Sequence, residues 1–272
     1  MLSGWGSLGG LSLLFGLVNL AAAQTFTDCN PMERDDCPTN PALSMNYNFD
    51  FTQASNASTW DVEAGVPTYE QDGAILTISK QKESPTLTSQ FYIMFGIVEV
   101  HMKASRGQGI VSSIVMESKD LDEIDWELIG GNETHVQTNY FGKGNQTTYD
   151  RALWHPVNKP MDEYHNYTVH WTAEKIDFFI DTALVRTLPY AAANGGNNYP
   201  QTPMFVRFGI WAGGDTANNA PGVVEWAGGE TDFTKAPFTM YVKSLSVQDF
   251  GSGSAYKYSD RSGSWQSIAS IA

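Results

Sequence analysis

From about residue 45 onward the chain consists of short runs rich in Val, Ile, Phe, Tyr and Thr, separated by clusters of Gly, Asn, Asp and Pro. The clearest runs are 74–79, 90–103, 110–116, 134–141, 166–171, 175–180, 204–211 and 238–247. Strand-length segments with frequent turn residues and no sustained 3.6-residue period predict an all-β fold. With 42% hydrophobic residues there is enough apolar side chain for a sizeable core. The expected architecture is a concave β-sandwich (jelly roll) of two antiparallel sheets. The polar stretches 189–203 and 213–222 read as loops, because strand patterns resume at once beyond them. Residues after 251 are poorer in apolar side chains and read as an edge appendage. No repeat of 20 to 50 residues is visible, so a single domain is expected over 24–272.

The first 23 residues carry no charged side chain, and 11–23 is apolar up to Gln24, with Ala21 and Ala23 in a small-residue cleavage pattern. That predicts a secretory signal peptide over 1–23, although its first residues have no Lys or Arg. A membrane anchor is the weaker alternative, since the stretch is shorter than the roughly 20 residues a spanning helix needs. Cys29 and Cys37 follow the leader in a Pro- and Asp-containing segment, where oxidising conditions would join them in a local disulfide. No second Cys or His pair with ligand spacing accompanies them, which argues against a metal pair. Four glycosylation sequons, at Asn56, Asn132, Asn145 and Asn166, fit the same route. A secreted protein of the cell exterior is expected; the chain shows no lipid-anchor tail, so such an anchor would require a truncated sequence.

A formal net charge of −14 opposes the phosphate chemistry of nucleic-acid binding, while 12% aromatic residues leave flat rings for neutral ligands such as sugars. Against this background one segment stands apart, Leu121-Asp122-Glu123-Ile124-Asp125-Trp126-Glu127-Leu128. As a strand it sets Glu123, Asp125 and Glu127 on one side and Ile124, Trp126 and Leu128 on the other, so the apolar side can enter a core. As a helix it would pair Glu123 with Glu127 repulsively and scatter the apolar residues. Three carboxylates on one face raise one another's pKa and cost stability. A solvated acidic edge or a calcium site would be the plainer explanations. However, the apolar surroundings disfavour the first, and ligands along a flat ladder diverge from an ion rather than wrapping it. Cleavage of a glycosidic bond needs just such a set, one carboxylate as nucleophile and one protonated carboxyl as acid, about 5 to 5.5 Å apart for retention of configuration. Glu123 is assigned as nucleophile, Asp125 as supporting carboxylate and Glu127 as acid/base, although spacing alone does not decide which Glu attacks.

The motif Asp122-Glu123-Ile124-Asp125-Trp126-Glu127 resembles the signature of glycoside hydrolase family 16 in its Glu-x-Asp-x-Glu form. The surrounding segments 111–115, 136–144 and 211–215 resemble the fungal Crh cell-wall transglycosylases, a likeness spanning most of residues 25 to 266. The resemblance implies a concave jelly roll in which Glu123 attacks the donor sugar and Glu127 protonates the leaving group, then activates the acceptor. It also implies cleavage of chitin and transfer of the new end to β-glucan or to chitin, cross-linking the fungal wall. Many members carry a Ser-rich tail and lipid-anchor signal that this sequence does not show.

Alternation in Arg207-Phe208-Gly209-Ile210-Trp211 puts Arg207, Gly209 and Trp211 on one face, a donor, a gap and an indole suited to a pyranose. Gln137 and Asn139 are expected as hydroxyl partners, with Tyr140, Lys143 and Trp226 as weaker candidates, since single aromatics on strands are usually core residues. The five His residues, His101, His135, His155, His165 and His170, form no ligand spacing and no Gly-x-Ser-x-Gly elbow exists, so zinc and serine hydrolase readings fail. No metal or cofactor is expected; the partner is a polysaccharide, and the chain is expected to act as a monomer. Hydrolysis as a β-glucanase or chitinase, and a noncatalytic lectin-like jelly roll, are the competing readings.

Overall fold

The computed structural model describes residues 27–272, so the leader expected over 1–23 lies outside the described residues, as do the side chains of 54–56. The chain first forms β1 (Asn40–Pro41), β2 (Asn46–Asp50), β3 (Trp60–Glu63), β4 (Thr68–Glu70), β5 (Gly73–Ile78) and β6 (Thr86–Ser89). Next come β7 (Gly96–Lys103), β8 (Ile110–Ser118), β9 (Glu123–Ile129), β10 (His135–Phe141), β11 (Leu153–Pro156) and β12 (His165–Trp171). It ends with β13 (Lys175–Ile180), β14 (Ala183–Pro189), β15 (Met204–Ala212), β16 (Phe238–Asp249), β17 (Ala255–Tyr258) and β18 (Ile268–Ile271). One short helix, α1 (Pro221–Trp226), follows the loop after β15.

Two large antiparallel sheets make the expected sandwich. The front sheet runs β11-β10-β9-β8-β15-β6-β3, and the back sheet β14-β13-β12-β7-β16-β5-β4 with β2 beside β16. A third sheet, β1-β17-β18, makes the segment beyond 251 the appendage that its composition suggested.

Period-2 alternation builds the core. In β7, Val98, Val100 and Met102 point inward while Ile97, Glu99 and His101 are partly exposed. From the front sheet Ile124, Trp126 and Leu128 enter the same core. The Trp126 ring meets Phe178 edge-on at 5.4 Å and Tyr167 at 5.4 Å, which ties β9 to the back sheet. Burying a ring of this size contributes up to about 4–6 kcal/mol.

Run 175–180 matches β13 at both ends. Run 90–103 does not survive whole: strand begins only at Gly96, because Phe95 takes φ 61° and the chain bends there. A Cβ on Gly96 would stand 2.2 Å from the Gln248 carbonyl oxygen, so this entry into β7 needs glycine. The expected disulfide is present, Cys29–Cys37 with Cα atoms 5.6 Å apart. Among the described residues no helix is long and apolar enough to cross a membrane. Asn132, Asn145 and Asn166 are each partly exposed, and the Asn145 side-chain amide donates to Asn198 at 3.0 Å.

Candidate active site

The tight turn between β8 and β9 decides where the carboxylates stand. Ser118 and Asp122 clasp each other, backbone to backbone at 2.9 Å and Asp122 N–H to Ser118 Oγ at 2.9 Å, while Leu121 takes φ 67°. The Asp122 carboxylate accepts from the Lys143 N–H at 3.0 Å, the Gln201 N–H at 2.8 Å and the Thr202 hydroxyl at 2.8 Å. β9 therefore leaves a fixed start, and all seven of its residues are buried.

Register then assembles a floor across the front sheet. Glu123 stands opposite Glu117 on β8 and Phe141 on β10, Asp125 opposite Val115 and Asn139, and Glu127 opposite Ser113 and Gln137. Glu123, Asp125 and Glu127 line one cleft together with Glu117, Arg207 and Trp211. They are only 1, 2 and 4% exposed, with their apolar neighbours on the core side as alternation required.

Burial drives the electrostatics. It pushes Glu123 and Glu127 each up to about 8 and Asp125 well above the carboxylate range, where the charges of Glu123 and Glu127 add to the rise. The two glutamates differ in what else acts on them. A hydrogen bond with Asp125 and the Arg207 charge favour the anion of Glu123, against Glu117 and Glu127, whereas Glu127 is raised by burial with no neighbour favouring its anion. Among the described residues no group donates to either oxygen of Glu123 or to Oδ1 of Asp125, and a hydrogen bond between these two acceptors forms only when one of them carries a proton. Of the two glutamates, only Glu123 has neighbours that favour its anion, Asp125 and Arg207.

Arg207 is the cation of this floor. It donates to Glu117 at 2.9 Å and to the Thr88 hydroxyl at 3.2 Å, and stands 3.8 Å from the Glu63 carboxylate. Trp211 stacks on Trp226 of α1 with centroids 6.0 Å apart, and the Trp226 indole N–H donates to Gln137 Oε1 at 3.1 Å.

The structure places Arg207 and Trp211 in the cleft lining beside the carboxylates, sets Gln137 and Asn139 opposite Glu127 and Asp125 on β10 with Trp226 bonded to Gln137, and turns two candidates away. Tyr140 alternates with Asn139 and so faces the core, 6% exposed, with the Arg186 guanidinium 5.4 Å from its ring. Lys143 takes φ 52° and turns back to Asp122, with Nζ 3.6 Å from its carboxylate, bracing the turn and not the cleft. Two floor residues went unnoticed in the sequence, Glu117 and Glu63. Glu117 carried a usable signal, since Val111, Ser113, Val115 and Glu117 alternate on the side that meets the acidic strand. Glu63 carried none, because its place depends on β3 pairing through β6.

A jelly roll with a carboxylate ladder sunk in an open cleft defines an enzyme of the glycosidase or transglycosylase type. The profile described as glycosyl hydrolases family 16 matches residues 53–228, and the chain belongs to that family. It is 59% identical over 251 residues to Crh-like protein 2 of Botryotinia fuckeliana, covering 92% of this chain and 55% of that protein. It is 54% identical over 250 residues to Crh-like protein 1 of Aspergillus fumigatus, covering 92% and 68%. The chain thus spans little more than half to two thirds of these relatives. Among solved structures, Crh5 transglycosylase in complex with NAG matches with a TM-score of 0.86 at 51% identity, over 89% of this chain and 99% of that one. A Bacillus licheniformis β-glucanase shares the fold, with a TM-score of 0.63 at 21% identity over 76% of this chain and all of that one.

Proposed function

We propose that this chain is the catalytic domain of a secreted, retaining cell-wall transglycosylase that cleaves chitin and passes the new end to β-glucan or to another chitin chain. The observation that carries the reading is the placement of Glu123, Asp125 and Glu127 along one strand face in the lining of one cleft, with the Arg207 charge acting on Glu123. In the first step a Glu123 oxygen bonds the donor's anomeric carbon as the bond to the leaving oxygen breaks, and Glu127 gives that oxygen its proton. In the second, Glu127 takes a proton from an acceptor hydroxyl, whose oxygen displaces Glu123 from the sugar. Asp125 holds the shared proton and restrains Glu123 between the steps. The likeness to a transglycosylase solved with NAG supports an N-acetylated donor, and the disulfide, the sequons and the apolar leader support export to the wall.

The test is product analysis with an end-labelled chitin oligomer and an unlabelled glucan or chitin acceptor. Lengthened labelled products are expected, and exclusively shortened ones would assign hydrolysis instead. Transfer wins by tenfold for each 1.4 kcal/mol by which the acceptor site outcompetes water. Glu123→Gln and Glu127→Gln should each abolish turnover while retaining oligomer binding, and normal turnover by either would refute its role.

A further inference from the structure

We propose that Trp154, on the free edge strand of the front sheet, forms a sugar-stacking subsite for the acceptor chain; this rests on the transglycosylase reading above. Register carries the inference. Glu63, Gly209, Ser113 and Glu127 fall in one line of cross-strand neighbours, and the cleft follows that line from β3 to β9. The same line continues from Glu127 to Gln137 on β10 and ends at Trp154 on β11.

The face on which Trp154 stands is settled by its neighbour. His155 turns to the core, where its ring bonds the Thr138 hydroxyl at 2.8 Å and lies 6.4 Å from Trp126. Alternation sends Trp154 to the opposite side, the side of Gln137 and Glu127. Arg186 fastens the same edge from below, donating to the Thr138 and Arg151 carbonyl oxygens at 3.0 and 2.8 Å. The indole nevertheless remains 43% exposed, and no ring stacks on it among the described residues. An apolar plane held on a fixed strand, two strands beyond the cleft-lining Glu127, suits the C–H face of a pyranose.

The acceptor side follows from the charges. The groups that act on the nucleophile, Glu117 and Arg207, lie on the β3 side of β9, whereas the other side offers the neutral Gln137, Trp226 and Trp154. Two strand spacings, about 10 Å, separate Glu127 from Trp154. A sugar whose hydroxyl meets Glu127 therefore places the next ring outward over the indole.

Trp154→Ala and Trp154→Phe would be compared with the parent chain using the labelled chitin oligomer and acceptor oligomers, with melting temperature checking the fold. For Trp154→Ala we expect the ratio of transfer to hydrolysis to fall about tenfold and the acceptor KM to rise, with Trp154→Phe recovering most of both. An unchanged ratio would overturn the subsite, and a rise in donor KM with acceptor KM unmoved would overturn its assignment to the acceptor. Binding of the same oligomers to Glu123→Gln, with and without Trp154→Ala, reads the subsite independently of turnover: about tenfold weaker binding supports it and equal binding refutes it. Absence of transfer products from the parent chain alone would refute the functional reading, while the binding arm still decides the role of Trp154.

Discussion

Glu117 shows how a single residue adjusts this site. It is 1% exposed and directly opposite Glu123; burial pushes it up to about 7 against the pull of Arg207, and its Oε1 has no donor among the described residues. Arg207 is thereby drawn toward Glu117 and Glu63, leaving less of its field for Glu123. Glu117→Gln removes a negative neighbour and frees that field. The acid-side midpoint of the kcat/KM profile should then move to lower pH by about one unit, the scale of a close charge. An unmoved midpoint, read from a pH–rate series, would exclude this role. On the alkaline side Glu127 must keep its proton to act as acid, so activity should decline as pH rises through about 8, and a flat profile from pH 4 to 9 would contradict the assignment.

The element that matters most is β9, which presents polar groups to the cleft and an apolar ridge to the core within seven residues. Trp126→Ala would leave a cavity against Tyr167 and Phe178 and should cost about 3–5 kcal/mol of stability by denaturant titration. At this scale alternation made much legible in advance: the strand itself, its three carboxylates, and the split of Arg207 and Trp211 from Phe208 and Ile210. What alternation cannot supply is the neighbour across the ladder. Trp154 and Glu63 meet the site only through pairings between strands distant in sequence, and edge strands as short as β11 and β3 show little apolar signal. Tyr140 falls to the same alternation: with Gln137 and Asn139 on the cleft face, it shares the core face with Val136 and Thr138. Lys143 was misplaced because a left-handed turn reversed its direction after β10.

For the whole molecule, the buried carboxylates set a pH dependence of stability. Glu117, Glu123, Glu127 and Asp122 sit at about 7 or 8 in the folded chain against ordinary values of 4.5 and 3.8. The native state therefore keeps protons that the unfolded chain releases, and their stabilising contribution, full below about pH 4, is lost as pH rises through about 8. Surface acids such as Asp28 and Asp162, held low by Lys119 and Arg106, act in the opposite sense and weaken the fold only as pH falls below their ordinary range. Calorimetry should thus find a lower Tm at pH 8.5 than at pH 5, and Glu127→Gln should narrow the gap; equal melting at both would refute the account. The two-sided build of the front sheet has an evolutionary corollary. Since neighbouring positions along a strand answer to separate selective pressures, one set to sugars and the other to close packing, new glycan preferences can arise by exchanging outward residues without renegotiating the interior.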